Sequence, residues 1–154
     1  MKKLLTAVAL AGWLFAVQQV EHVNAQQWSP EQQEVWNAEV ACLNAGIDDI
    51  PARKACIHPD FMGWGVQSPV PMGYSEQGFD YFVAHNTLKV IRATPLHILV
   101  EGNIAIIQLM VRSVSSLDGG PDTESWVAWT DIMRRENGVW RWIADHGHVP
   151  TGAN

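Results

Sequence analysis

Two side chains able to move protons stand near the end of the chain: Asp131 and His146, in the run TDIMRRENGVWRWIADHGHV spanning 130–149. Loss of hydration in an apolar wall raises a carboxyl pKa, whereas a neighbouring imidazolium lowers it. Side by side, the two would serve as an acid–base pair near neutral pH. The competing reading is a structural hydrogen bond or ion pair, which perturbs pKa values just as well.

Whether the two meet depends on register. Asn137-Gly138 has the composition of a two-residue hairpin turn. Counting back from that turn pairs Glu136 with Val139, Met133 with Trp142, Asp131 with Ala144 and Trp129 with His146. Side chains alternate across a strand, so these residues, with Val127, Trp140 and His148, share one face. Asp145 falls on the other face with Thr130, Ile132, Arg134, Arg141 and Ile143. Asp131 then lies diagonal to His146, within reach of long side chains. A slip of one residue would reverse every assignment.

The elements that would position this hairpin are legible upstream. Ser29-Pro30-Glu31-Gln32 carries a helix start, with Ser as N-cap, Pro at the first position and Gln three residues on. Trp36, Val40, Leu43 and Ile47 follow at helical spacing, and Gly46 is a natural terminator. A short second helix is expected around 49–55, a strand over IHPDFMGWG, and a third helix from Ser75 with Phe79, Phe82 and Val83 on one side. LHILVEGNIAIIQLMVR reads as a hairpin turning at Gly102-Asn103, and LDGGPD separates it from the last hairpin. In that register His97 faces Gln108, and Arg112 continues the same face, where a guanidinium could hold a carboxylate or enolate. The expected architecture is α+β: a curved antiparallel sheet with three helices packed on its concave face.

The first 25 residues have a basic start (Lys2, Lys3), an apolar stretch and a small-residue cleavage site ending at Ala25, the pattern of a signal peptide. Residues 26–154 are then one exported domain, periplasmic or secreted. Losing Lys2, Lys3 and Glu21 from the chain's 10 basic and 16 acidic residues leaves 8 and 15, a charge of −7. Nucleic acid calls for a basic face and is excluded as a partner; no membrane contact is expected once the leader is gone. Cys42 and Cys56 fall on consecutive helices; a disulfide and two buried thiols are both open to them. Five histidines remain after the leader, but no zinc spacing, nucleotide loop or nucleophile elbow accompanies them. No metal and no cofactor is expected.

LNAG closing the first helix, HPDF after the second and TDIMRRENGVWRWIADHGH at the end resemble the SnoaL-like branch of the nuclear transport factor 2-like superfamily, which includes ketosteroid isomerases and polyketide cyclases. The resemblance spans 32–148. It implies a cone of curved sheet closed by helices, a ligand pocket inside and dimerisation through the outer face. By position Asp131 resembles the strand acid that ketosteroid isomerases keep protonated to donate to an oxyanion. The isomerase base falls here near Trp64 and Gly65, and its first-helix tyrosine near Glu39, which counts against steroid isomerisation. Trp64, with Met62, Met72 and Tyr74, lies where such pockets tend to open. An aromatic and methionine lining suits a flat apolar ligand, although such residues more often fill core.

The expected function is binding of a small hydrophobic molecule in a pocket lined by Trp64, Tyr74, Trp129, Met133, Trp142, His97 and Arg112. The alternatives are a cofactor-free lyase, isomerase or cyclase using Asp131 and His146, and a homodimeric interaction scaffold.

Overall fold

A computed structural model describes residues 27–45, 49–66 and 68–151. The leader expected over 1–25, and Gly46 and Ile47 at the end of the first helix, lie outside the described residues. The elements are helix α1 (Pro30–Ala45), helix α2 (Ile50–Ala55), strand β1 (Ile57–Trp64), the short strand β2 (Met72–Gly73), helix α3 (Glu76–His85), and strands β3 (Asn86–Glu101), β4 (Ile104–Leu117), β5 (Thr123–Glu136) and β6 (Val139–His148).

Local chemistry sets the boundaries. Ser29 and Gln32 form a reciprocal capping box at α1: Gln32 N–H donates to Ser29 Oγ at 3.2 Å, and Ser29 N–H donates to Gln32 Oε1 at 2.8 Å. Asp49 and Ser75 cap α2 and α3, accepting from Ala52 N–H at 3.1 Å and Gly78 N–H at 3.0 Å. Asn137 and Gly138 both take positive φ (53° and 80°), as a primed two-residue turn demands.

The six strands form one curled sheet in the order β2-β1-β6-β5-β4-β3. Its hairpins are antiparallel, but β1 runs parallel to β6, so the sheet is mixed rather than wholly antiparallel. The long crossover through β2 to β5 makes that parallel return possible. α1 packs against β3 and β6, α2 against α1 and β1, and α3 against β3. The result is the cone-shaped α+β architecture.

Burial divides the cone in two. Near the Gly102-Asn103 and Asn137-Gly138 turns it is filled by Ile98, Ala105, Ile107, Leu109, Met133, Trp140 and Trp142, with Val35 and Cys42 of α1 above them. Towards the other end, around Val111, Val127 and Trp129, the interior stays open. α1 buries Val35, Glu39 and Cys42 rather than centring on Trp36 and Val40. The inner stripe is thus turned by about one residue and carries an acid in its middle. Cys42 and Cys56 are joined by a disulfide, with a Cα–Cα distance of 5.7 Å.

Candidate ligand site in the cone

The closing hairpin starts in the expected register, with Glu136 opposite Val139 and Met133 opposite Trp142. One step later it shifts: Ile132 pairs with Ala144, leaving Ile143 as an extra residue in β6. A bulge of this kind flips every later side chain to the opposite face. Asp131 therefore faces Asp145, not Ala144, and Trp129 faces Gly147, not His146. His146 pairs with Thr130 and is exposed on the outer face, its ring edge-on to Trp64 and stacked near His148. The expected Asp131–His146 pair does not form; Asp145 takes the place assigned to the histidine.

Two glycines make that inner surface possible. A Cβ at Gly63 would overlap the Asp145 carboxylate and the Phe61 ring. A Cβ at Gly147 would lie 2.6 Å from the Trp129 ring, so the bare backbone is what lets the indole rest on β6.

The open end holds a cavity of about 400 Å³. Asp131, Asp145, Arg53 and Trp142 line one part; Phe61, Val90, Val111, Val127 and Trp129 line its apolar middle. Asp131 and Trp142 are almost fully buried. Glu39, buried behind them on α1, accepts from Trp142 Nε1 at 2.6 Å through Oε2, while its Oε1 has no well-formed hydrogen bond. Arg53 enters from α2. Its Nη1 donates to Cys42 O at 2.8 Å, and its guanidinium lies over the Trp142 ring, 4.6 Å from the centroid.

Electrostatics sort the acids. Burial pushes Asp131 well above the usual carboxylate range, and the charge and hydrogen bonding of Glu39 push it further. Burial also raises Glu39, against the Trp142 and Asp131 hydrogen bonds and the charge of Arg53, which lower it. Glu39 holding the charge and Asp131 holding the proton is the arrangement these opposed effects favour. Asp145 is raised by burial too, but less deeply set, and it accepts a hydrogen bond from the Trp64 backbone. Arg53 is lowered by burial and held up by Glu39, Asp131 and Asp145. The site thus presents a carboxyl group pushed towards its neutral, donating form, a second carboxyl beside it and a balancing guanidinium.

Of the seven residues expected from sequence to line the pocket, Trp129 and Trp142 line the cavity and the other five do not. Met133 is fully buried in the filled end. Trp64 and Tyr74 lie outside: Trp64 Nε1 donates to Ser68 O at 2.8 Å, and Tyr74 packs on Phe79. His97 faces Gln108 as counted but is exposed. Arg112 points outward, gripped by both Glu124 oxygens at 2.6 and 2.9 Å, because Val111 and Ser113 hold the inward positions of β4. His58 serves structure: its Nδ1 accepts from Asp60 N–H at 3.0 Å and its Nε2 lies 3.1 Å from Glu136. Among the described residues, no three histidines, cysteines or acids are grouped to hold a metal ion.

Sequence reasoning missed Glu39, Arg53 and Asp145. For Glu39 a signal existed: Val35, Glu39 and Cys42 keep helical spacing, with a carboxylate where an apolar residue belongs. Asp145 was hidden by the bulge, and nothing local marks Arg53.

No family model matches the chain, and no curated protein matches it. Solved structures do. A putative dehydratase of the nuclear transport factor 2-like family from Streptomyces avermitilis superposes with a TM-score of 0.68 at 19% identity, covering 79% of this chain and 97% of the other. A ketosteroid isomerase-like protein from Erwinia carotovora atroseptica gives 0.66 at 14%, covering 80% and 99%. A CaMKII hub from S. rosetta gives 0.61 at 12%, covering 81% and 100%. At these identities the likeness is one of fold, and the fold is nuclear transport factor 2-like.

Proposed function

We propose that this nuclear transport factor 2-like cone binds a small, mostly apolar molecule and receives one of its oxygens at Asp131. One observation carries the reading: Asp131 lines the cavity, buried in surroundings that favour its protonated form, which can donate to a carbonyl as no ionised carboxylate can. The apolar middle supplies affinity, and the few polar groups fix orientation.

Trp129 and Trp142 line the cavity, so a neutral aryl ketone such as acetylbiphenyl should change the protein's fluorescence on binding. Asp131→Val, which keeps the wall apolar but removes the donor, should weaken binding roughly tenfold. Equal affinity in wild type and variant would remove Asp131 from the site. Failure of any neutral aryl ketone to bind would remove the reading itself.

Asp145 favours a second reading, cofactor-free proton transfer beside a carbonyl. Asp145 takes the proton from the carbon next to the carbonyl, and the electron pair passes to the oxygen held by Asp131. Return of the proton to another carbon completes an isomerisation. Exchange of that hydrogen in deuterated water, lost in Asp145→Asn, is the sign to look for; no exchange in wild type leaves binding alone.

The outer face favours self-association. Met62, Trp64, Leu99 and Trp126 are exposed there, and a hub domain shares the fold. A monomeric mass at micromolar concentration would exclude it. We further propose export with removal of residues 1–25. The Cys42–Cys56 bond suits an oxidising compartment, and N-terminal sequencing of the mature protein tests the cleavage site.

A further inference from the structure

The cavity has a second polar region. Ser113, Ser115 and Ser125 line it together with Asn86 and Thr87, all at the end of the cone near the β4–β5 turn and away from the Gly102-Asn103 and Asn137-Gly138 turns. Ser113 stands opposite Ser125 across β4 and β5, their Oγ atoms 3.3 Å apart, and Ser115 stands opposite Leu88 of β3. Ser125 is six residues before Asp131 on β5, roughly 20 Å along the strand, and less in a straight line because the sheet curls. Both lie on the inner face, since six is an even number of steps. Between them, Val127 and Trp129 form a continuous apolar wall.

The two ends differ in kind. The Asp131 end carries Arg53 and Asp145 and offers a strong donor. Among the described residues, the serine end has no ionisable lining residue, and its hydroxyls can both donate and accept. Ser113 is only 7% exposed. One hydrogen bond between Ser113 and Ser125 uses one of their two protons, so a donor is left over, on buried Ser113 or on half-buried Ser125. Thr87, by contrast, is already bound to Ser116 Oγ at 2.7 Å.

Resting on the reading of Asp131 as an oxygen-binding donor, we infer that the ligand is an elongated, uncharged molecule with a hydrogen-bonding oxygen at each end, the second held by Ser113 and Ser125. A compound with one polar end leaves the spare serine donor unmatched. A compound with a carboxylate at the far end meets no counter-charge there. Both are selected against, because a site built to hydrogen-bond an oxygen discriminates strongly against ligands that lack it or misplace a charge.

Three probes test this by tryptophan fluorescence: acetylbiphenyl, its derivative with a hydroxyl at the far end of the second ring, and the corresponding carboxylate. The phenol should bind about fivefold to tenfold tighter than the parent, a gain typical of one added hydrogen bond, and the carboxylate weaker than either. In Ser113→Ala/Ser125→Ala the phenol and the parent should bind alike. The parent ketone is the internal control for folding, since a collapsed variant loses all three probes. Equal binding of phenol and parent to wild type overturns the serine contact while leaving the Asp131 reading in place. A preference that survives the double variant overturns the assignment to these serines. Binding of none of the probes overturns the Asp131 reading and this inference with it.

Discussion

Asp145 stands directly opposite Asp131 across β5 and β6, and both line one cavity. Two acids side by side in a partly dry interior are stable only if charge is limited, by protonation or by a nearby cation. The molecule uses both means. Asp131 is pushed towards the neutral form, and the Arg53 guanidinium offsets the charge shared by Glu39 and Asp145. Gly63 gives the Asp145 carboxylate its room, and the bulge at Ile143 gives it its direction.

Stability should fall as pH rises through the acid range. The native state holds the Asp131 proton above the ordinary pKa of 3.8, so unfolding releases it, and stability drops between that value and the raised native one. Glu39 and Asp145 shift the same way and steepen the slope. Asp131→Asn removes the largest contributor. Its melting temperature relative to wild type should climb as pH rises above about 4. A parallel pair of curves would show that Asp131 titrates normally.

Glu39 is predicted to matter through Trp142 and Asp131 together. Glu39→Ala leaves a buried indole N–H without its acceptor and Arg53 without its principal counter-charge, a loss of about 2 kcal/mol. Glu39→Gln keeps an acceptor and should recover most of that. In the Gln variant the Asp131 pKa should move down, because the Glu39 charge is gone, yet stay above normal because burial is the larger cause. Carboxyl carbon chemical shifts followed through a titration would read both effects.

The contrast between Asp145 and the hairpin turns shows what sequence can carry. Asn137-Gly138 dictates its own turn, and the pairing from Glu136 to Met133 follows by counting. The cone, its helices and their caps rest on comparable local signals: Ser29, Asp49, Ser75 and alternating apolar residues. The bulge has no such signal. Ile143 is as good a strand residue as its neighbours, and its eviction from the ladder depends on how β6 also meets β1, where the register shifts again between Ile57 and Met62. That is a tertiary constraint, and it exchanged Asp145 for His146. Arg53 is equally tertiary: it reaches the cavity because α2 is tied to α1 and β6 from elsewhere.

That tie is the Cys42–Cys56 disulfide. It closes a loop of sequence separation 14, and Trp142 N–H donates to Cys56 O at 2.8 Å beside it. Reduction should cost about 3 kcal/mol, lowering the melting temperature by about 10 °C. Because Arg53 donates to Cys42 O, the reduced protein should also bind a ketone probe more weakly. Thermal melts and fluorescence titrations with and without dithiothreitol, and in Cys42→Ala/Cys56→Ala, measure the two separately.

Gly147→Ala tests the cavity wall most directly. The new methyl carbon would lie 2.6 to 2.8 Å from three carbons of the Trp129 ring, closer than side-chain carbons pack, so the indole or β6 must shift. The expected cost is about 1–3 kcal/mol, the range for overpacking a fitted interior. The ring's open side is the cavity, so it should swing that way, shift the tryptophan emission and narrow the space left for a ligand. Gly147→Ala/Trp129→Leu removes the clash and should regain stability that Gly147→Ala loses. A Gly147→Ala protein with wild-type stability, emission and ketone affinity would mean that Trp129 does not rest on β6, and the cavity's apolar wall would have to be redrawn.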